Sequence, residues 1–251
     1  MKRNVTILLC ALFALCIFVS GYQLYRIRNE YQSGENAYDD LQEQVTTPSV
    51  TPEGEQASQS DTTEAKMNFA PLQNINSDII GWLKIEACGI DYPIARGTDN
   101  SYYLKHLYDK TYNSSGCLFL DYRNNAAFSD PNSVVFGHHM KNGTMFSGLG
   151  KYKSQEFYEA HPSYALYTPD TNYTVDIFAG YVAGLDDDAW RLAFDGQTDM
   201  ESWLNERIAK SLIRCSTAPD PDDKIITLST CSYEFNNARF VLFGVLREGN
   251  R

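Results

Sequence analysis

The chain contains no Cys-x-x-Cys pair, no glycine-rich phosphate loop and no internal repeat. The first absence removes the usual spacing of a zinc site. The second removes the common cradle for nucleotide phosphates. Basic residues are scarce, with 21 Lys and Arg against 32 Asp and Glu and a net charge of −11. An acidic body of this kind disfavours nucleic acid or an anionic membrane face as the main ligand. The one run of carboxylates that could suggest calcium, Asp186-Asp187-Asp188, reads as a solvated loop. No metal or other cofactor is expected. Histidine is rare too, with four in 251 residues, so imidazole chemistry has few candidates.

Apolar surface is plentiful. A composition 43% hydrophobic and 13% aromatic is ample for one packed domain. The run VTILLCALFALCIFV at 5–19 follows Lys2 and Arg3 and extends through Leu24 and Tyr25. About 20 residues at ~1.5 Å each cross a bilayer core. The basic start favours an N-terminus inside, although Arg26 and Arg28 on the far side oppose it. A cleaved signal peptide is the competing reading. No small-x-small cleavage site follows the apolar core cleanly, so residues 1–28 read as a retained single-pass anchor, with the remainder outside the cell. Residues 29–66 hold nine acids, one base and almost no large apolar side chain after Leu41. Burial there cannot offset the ordering entropy, so a disordered acidic stalk is expected, with room for a short helix at 31–45.

From residue 67 to 251 the texture is that of a folded domain. Short apolar runs at 80–85, 90–94, 116–121, 133–137, 164–167, 173–182, 224–231 and 239–247 read as strands, the second broken by Pro93. Short helices are expected at 69–77, 143–152 and 154–160. One long amphipathic helix is expected at 199–215, its stripe Met200, Trp203, Leu204, Ile208, Leu212 and Cys215 reading as core. About eight strands with one inserted helix predict a mainly β barrel or sandwich with helical additions.

Six cysteines are present, two of them, Cys10 and Cys16, in the apolar run. Outside the cell the other four could pair. Cys117, however, sits in an apolar strand and Cys215 on an apolar stripe, where cysteine serves as a small hydrophobe. Cys231 differs, because it ends the strand 224–231 and precedes polar residues. Seven residues then lead to Arg239, too few for a crossover helix, so the two strands pair antiparallel and Cys231 should lie near Arg239. A thiol with an ordinary pKa near ~8.5 is mostly protonated at neutral pH and needs a base or a cation beside it. His106 and His161 lie in polar, surface-like segments. His138 instead leaves a strand through Gly137, and a thiol and an imidazole at separate strand ends are what nucleophilic catalysis requires. His139 points the other way on an extended chain. A buried cysteine, a surface histidine and a salt-bridged arginine remain the plainer reading of the same residues.

The segments TLSTC, SVVFGHHM, GWLKIEACGIDYPIARGTDNSYYL and GCLFLDYRN, with Arg239 after them in the last strand, closely resemble the class B sortases of Gram-positive bacteria. The resemblance covers residues 70–247. It implies an eight-stranded sortase β-barrel with a helix between strands six and seven. It also implies a membrane-tethered cysteine transpeptidase in which Cys231 is the nucleophile, His138 the catalytic histidine and Arg239 the catalytic arginine. Asn100, Leu104 and Ser229 match positions that line the sorting-signal groove, and Trp190 falls in the loop that usually carries an aromatic-aliphatic pair. Two departures from the family pattern are Ala189-Trp190 in that loop and Phe136, where a tyrosine is common. The implied partners are secreted proteins with a proline-containing motif and an amine of the cell-wall peptide, served by a monomer that takes no nucleic acid. A pilin-polymerising sortase and a non-catalytic module that grips sorting signals are the alternatives.

Overall fold

The computed structural model describes residues 2–46 and 67–249; most of the expected stalk, 47–66, lies outside the described residues. Helix α1 (Lys2–Thr46) is continuous across the boundary expected at 28. Its first half leaves Phe13, Ile17 and Phe18 exposed, and it is long and apolar enough to cross a membrane. The helix allowed at 31–45 is present as part of α1, but the disorder expected of the stalk fails for 29–46, which docks on the domain. Tyr38 and Leu41 are buried, with Tyr31 and Val45 packed beside them. The Tyr38 hydroxyl donates to the Gly116 carbonyl at 2.6 Å, and Gln42 Nε2 to the Asp91 carbonyl at 2.7 Å. Averaging over an acidic segment hides this stripe, whose spacing of seven, three and four residues is helical.

Eight strands follow: β1 (Ile79–Ile85), β2 (Ile90–Ala95), β3 (Leu118–Leu120), β4 (Asn132–Phe136), β5 (Ser163–Tyr167), β6 (Asn172–Ala183), β7 (Ile225–Cys231) and β8 (Arg239–Glu248). They close a barrel in the order β1-β2-β3-β4-β7-β8-β6-β5, which is the eight-stranded architecture expected. Pro93 does not break β2, where it pairs with Trp82. On its other side β3 reaches only Ile94 and Ala95, so the missing N–H of Pro93 costs no bond in that ladder. The short helix α2 (Ala70–Ile75) precedes β1, and α3 (Gln155–Ala160) precedes β5, as expected, while the segment Phe146–Lys153 is a 3-10 helix.

Two apolar clusters lie on either side of the barrel wall. One contains Ile226, Leu228, Phe240 and Leu242; the other contains Ile225, Val241, Phe243 and Val245, covered by α4 (Gln197–Lys210) between β6 and β7. The β7 and β8 residues alternate between the two clusters, as a period of two requires. On α4, Met200, Trp203 and Leu204 are buried as expected. The helix ends earlier than expected, however, with Ser211 as its C-cap, so Leu212 and Cys215 lie beyond it. Ile208 and Leu212 are exposed, and the fourth buried position on α4 is Arg207, with no exposed surface. Its guanidinium lies 5.2 Å from the Trp203 ring centroid and 3.7 Å from Asp187.

Asp187 also accepts from Tyr181 Oη and Lys210 Nζ, both at 2.8 Å. Burial works against its charge, but the bonds from Lys210 and Tyr181 prevail and hold the carboxyl below its usual range. The reading of Asp186-Asp187-Asp188 as a solvated loop is therefore corrected: the middle carboxylate anchors the β6–β7 connection.

Candidate active site

Strand register assembles the site. In the β7–β8 ladder Ser229 pairs with Val241 and Cys231 with Arg239. Directly opposed residues of an antiparallel pair share a face, so the Cys231 and Arg239 side chains start side by side. The parallel β4–β7 ladder pairs Asn132 with Ile225, Val134 with Thr227 and Phe136 with Ser229. His138 follows two residues beyond Phe136, as Cys231 follows two beyond Ser229. One face of three adjacent strands therefore ends in His138, Cys231 and Arg239. Alternation puts this row on the wall covered by α4 and the β6–β7 connection, with the barrel interior on its other side. Cys231 and Arg239 are both partly exposed there.

His138 leaves β4 through Gly137, whose N–H donates to the Ser229 carbonyl at 3.2 Å. Thr230 Oγ1 donates to the Gly137 carbonyl at 2.8 Å. His138 Nε2 lies 2.7 Å from the Leu104 carbonyl. A carbonyl only accepts, so Nε2 carries the proton and Nδ1 is left to take or give one. The Leu104 carbonyl is held in place because Gly116, at φ +62°, packs against Tyr103 and Leu104; a β-carbon there would lie 2.5 Å from the Tyr103 oxygen.

A β-carbon on Gly137 would lie 2.5 Å from Leu118 Cδ2 and 2.6 Å from Phe146 Cδ2. Overpacking of this kind costs ~1–3 kcal/mol. Gly137→Ala should lower the melting temperature by roughly 3–8 °C. By displacing His138 it should also cut peptide cleavage by about tenfold or more. Thermal unfolding and cleavage rates of the variant check both effects.

His139 turns away from the row, with its ring edge-on to Tyr233 at 5.1 Å. His161 is exposed, as expected, whereas His106 is half-buried and stacks on Tyr102 at 3.9 Å. The connection 232–238 closes with Asn237 at φ +60°, a conformation asparagine tolerates well. Its Ser232 N–H donates to the Ala238 carbonyl at 2.9 Å. Lys153 clamps the same connection by donating to Ser232 Oγ at 3.0 Å and by pairing with Glu234.

The Lys153 and Ser232 bonds push the Glu234 carboxyl down to about 2, from an ordinary 4.5. The clamp is therefore fully present above about pH 4.5 and lost as pH falls through about 2. At 42% exposure of Glu234 it adds little global stability, so its effect is local. Amide exchange at 232–238 should speed up on acidification through that window, whereas Glu234→Gln should exchange fast throughout.

Trp190 and Ser229 are brought together, with Trp190 Nε1 donating to Ser229 Oγ at 3.0 Å. Ala189, the other member of the departing pair, is buried. Leu104 contributes its backbone carbonyl as well as a partly buried side chain. Asn100 is committed elsewhere: its amide donates to Asp121 Oδ2 at 3.0 Å and accepts from the Tyr122 N–H at 3.0 Å. Sequence reasoning missed the Leu104 carbonyl, which has no side-chain signal, and the Lys153 clamp, whose partners lie about 80 residues apart.

A closed eight-stranded barrel with one helix between β6 and β7, and a thiol beside a guanidinium at one edge, defines a cysteine transpeptidase of the sortase type. The Sortase domain family matches residues 83–247. Sortase B of Listeria monocytogenes is 33% identical over 97% of this chain and 96% of its own. Sortase B of Staphylococcus aureus is 28% identical over 96% of each. The S. aureus sortase B–substrate complex superposes with a TM-score of 0.69 at 30% identity, covering 72% of this chain and 85% of that one. The Clostridium perfringens sortase B structure gives 0.68 at 36%, covering 72% of this chain and 100% of that one. The chain belongs to the sortase family, in its class B, whose members are cell-surface enzymes acting in cell-wall anchoring.

Proposed function

We propose that the enzyme cleaves secreted proteins after the threonine of a proline-containing sorting motif and joins them to an amine of the cell-wall peptide. The observation that carries this reading is the strand register, which pairs Cys231 with Arg239 and Phe136 with Ser229, two residues before His138 and Cys231. Cys231 thiolate attacks the threonine carbonyl, and His138 imidazolium gives its proton to the departing amine as the C–N bond breaks. Arg239 donates hydrogen bonds to the substrate carbonyl as it becomes an oxyanion. The thioester is then resolved by the acceptor: the new N–C bond forms, the C–S bond breaks, and the amine's proton passes to His138. One S. aureus sortase B structure holds substrate, and a further sortase B structure holds triglycine, which favours an amine acceptor here.

Trp190 and Ser229 form one wall of the peptide groove, with Leu104 on the other and Asn100 behind it, holding Asp121 and the Tyr122 N–H. Residues 1–28 hold the enzyme in the membrane with the N-terminus inside; residues 67–251 form the catalytic domain, acting as a monomer on the outer face. Full-length protein in detergent, given a quenched peptide with a proline–x–threonine motif, should release the fragment beyond threonine. The remainder should add to Cys231 as a mass adduct. Binding without cleavage would overturn the proposal in favour of a sorting-signal-binding module.

A further inference from the structure

Helix α1 passes without a break from its apolar half into the half docked on the barrel. Tyr22 and Tyr25 are exposed near the end of the apolar run, and Arg26 and Arg28 follow at once. Tyrosine and arginine in that order suit the boundary between hydrocarbon and headgroups. The headgroup layer is ~5–7 Å thick on each side of the core, which at ~1.5 Å per residue is about four or five residues of helix. Counted from Tyr25, it ends near Glu30.

At that level the helix meets the domain. Glu30 accepts from the Ser114 N–H at 2.8 Å through its carboxylate and from Asn113 Nδ2 at 2.9 Å through its carbonyl. A β-carbon on Gly34 would lie 3.0 Å from Ser115 Oγ, so the approach is close and its register fixed. Asn113 closes a hairpin by donating its N–H to the Lys105 carbonyl at 2.9 Å. Its neighbour Tyr112 is 65% exposed, with its ring edge-on to His106 at 5.7 Å. His106 in turn stacks flat on the exposed ring of Tyr102. Lys105 is exposed on the same hairpin, Lys110 pairs with Asp78 at 2.9 Å, and the Asp109 carboxylate is taken up by Thr111. Exposed rings grouped in this way mark an interaction surface.

We infer, building on the membrane anchor proposed above for residues 1–28, that the segment 102–114 rests on the lipid surface. Tyr112 and Tyr102 sit among the headgroups, where tyrosine's apolar ring and polar tip are both accommodated, and Lys105 faces the phosphates. The helix selects this occupant, because it delivers the hairpin to the height at which the headgroup layer ends. Leu104 belongs to the same segment, so the contact also holds the carbonyl that orients His138 close to the membrane.

Full-length enzyme is placed in vesicles of phosphatidylcholine with about one quarter phosphatidylglycerol, with and without a lipid carrying a nitroxide on its headgroup. Tyr112→Trp keeps an aromatic ring, and the emission it adds to the parent's should fall by about half or more with the nitroxide lipid. Gln44 is exposed on the same helix, fourteen residues beyond Glu30. The emission added by Gln44→Trp, about 21 Å farther along the axis, should fall by less than about a tenth. Emission from Tyr112→Trp quenched no more than that from Gln44→Trp, in protein that floats with the vesicles, overturns the inference and leaves the anchor standing. Protein that does not float overturns both. In detergent, Tyr112→Ser should leave KM for the sorting peptide within about twofold of the parent. A rise of about fivefold or more would reassign the rings to the peptide and overturn the lipid contact.

Discussion

Replacing Cys231 with alanine will reduce cleavage of the sorting peptide by roughly 10⁴-fold or more, the scale seen when a covalent nucleophile is removed. The barrel will remain folded. Cys231 is the last residue of β7 and only partly buried, so losing one sulfur should change stability by no more than about 1 kcal/mol. No other thiol of the domain can take its place. Burial pushes Cys88 and Cys117 up to about 12 and Cys215 up to about 11, which leaves almost no thiolate at neutral pH. Alkylation near pH 7.5 followed by peptide mapping should therefore modify Cys231 alone among these four. Cleavage that persists in Cys231→Ala, or labelling that favours a buried thiol, would contradict the assignment.

The strands were legible because each is a short apolar run ending in turn residues, and the β7–β8 pairing followed from a connection too short for a crossover. That pairing sets Cys231 beside Arg239. Three features were not legible, each for a physical reason. The docked half of α1 has an acidic composition, and only a four-residue stripe reveals its contact. The end of α4 depends on Ser211, whose hydroxyl donates to the Ile213 carbonyl at 2.7 Å while the chain turns back to bond Gly180; the apolar period alone ran on to Cys215. The roles of Arg207 and Asp187 arise from tertiary packing. A buried guanidinium on α4 and a carboxylate in the β6–β7 connection are neighbours only once α4 lies on the sheet.

This dependence on tertiary contact matters for specificity. Trp190 reaches Ser229 from a connection tied down at several points: Asp187 by Tyr181 and Lys210, the Asp188 carbonyl by Trp203 Nε1, and the Arg191 carbonyl by Asn132 Nδ2. Asn132 is itself held by Thr227 Oγ1 at 2.7 Å. The proposed groove wall is thus preorganised by the residues behind it, which would reduce the ordering cost of binding an extended peptide.

Arg239→Lys is expected to lower kcat by about 10²- to 10³-fold while changing KM by less than about threefold. The side chain starts level with Cys231, and its Nη1 donates to the Ala238 carbonyl at 3.0 Å. One arm of the guanidinium is therefore anchored, and its remaining donors are left for a substrate. Lysine keeps the charge but has a single rotatable ammonium, so it cannot hold that anchor and present further fixed donors at once. Donors aimed at charge that develops only in the transition state act on kcat; donors that grip the ground-state peptide act on KM. Steady-state kinetics of Arg239→Lys and Arg239→Ala separate the two. A loss confined to KM would make Arg239 a substrate clamp, and a lysine variant within threefold of the parent would reduce its role to that of a point charge.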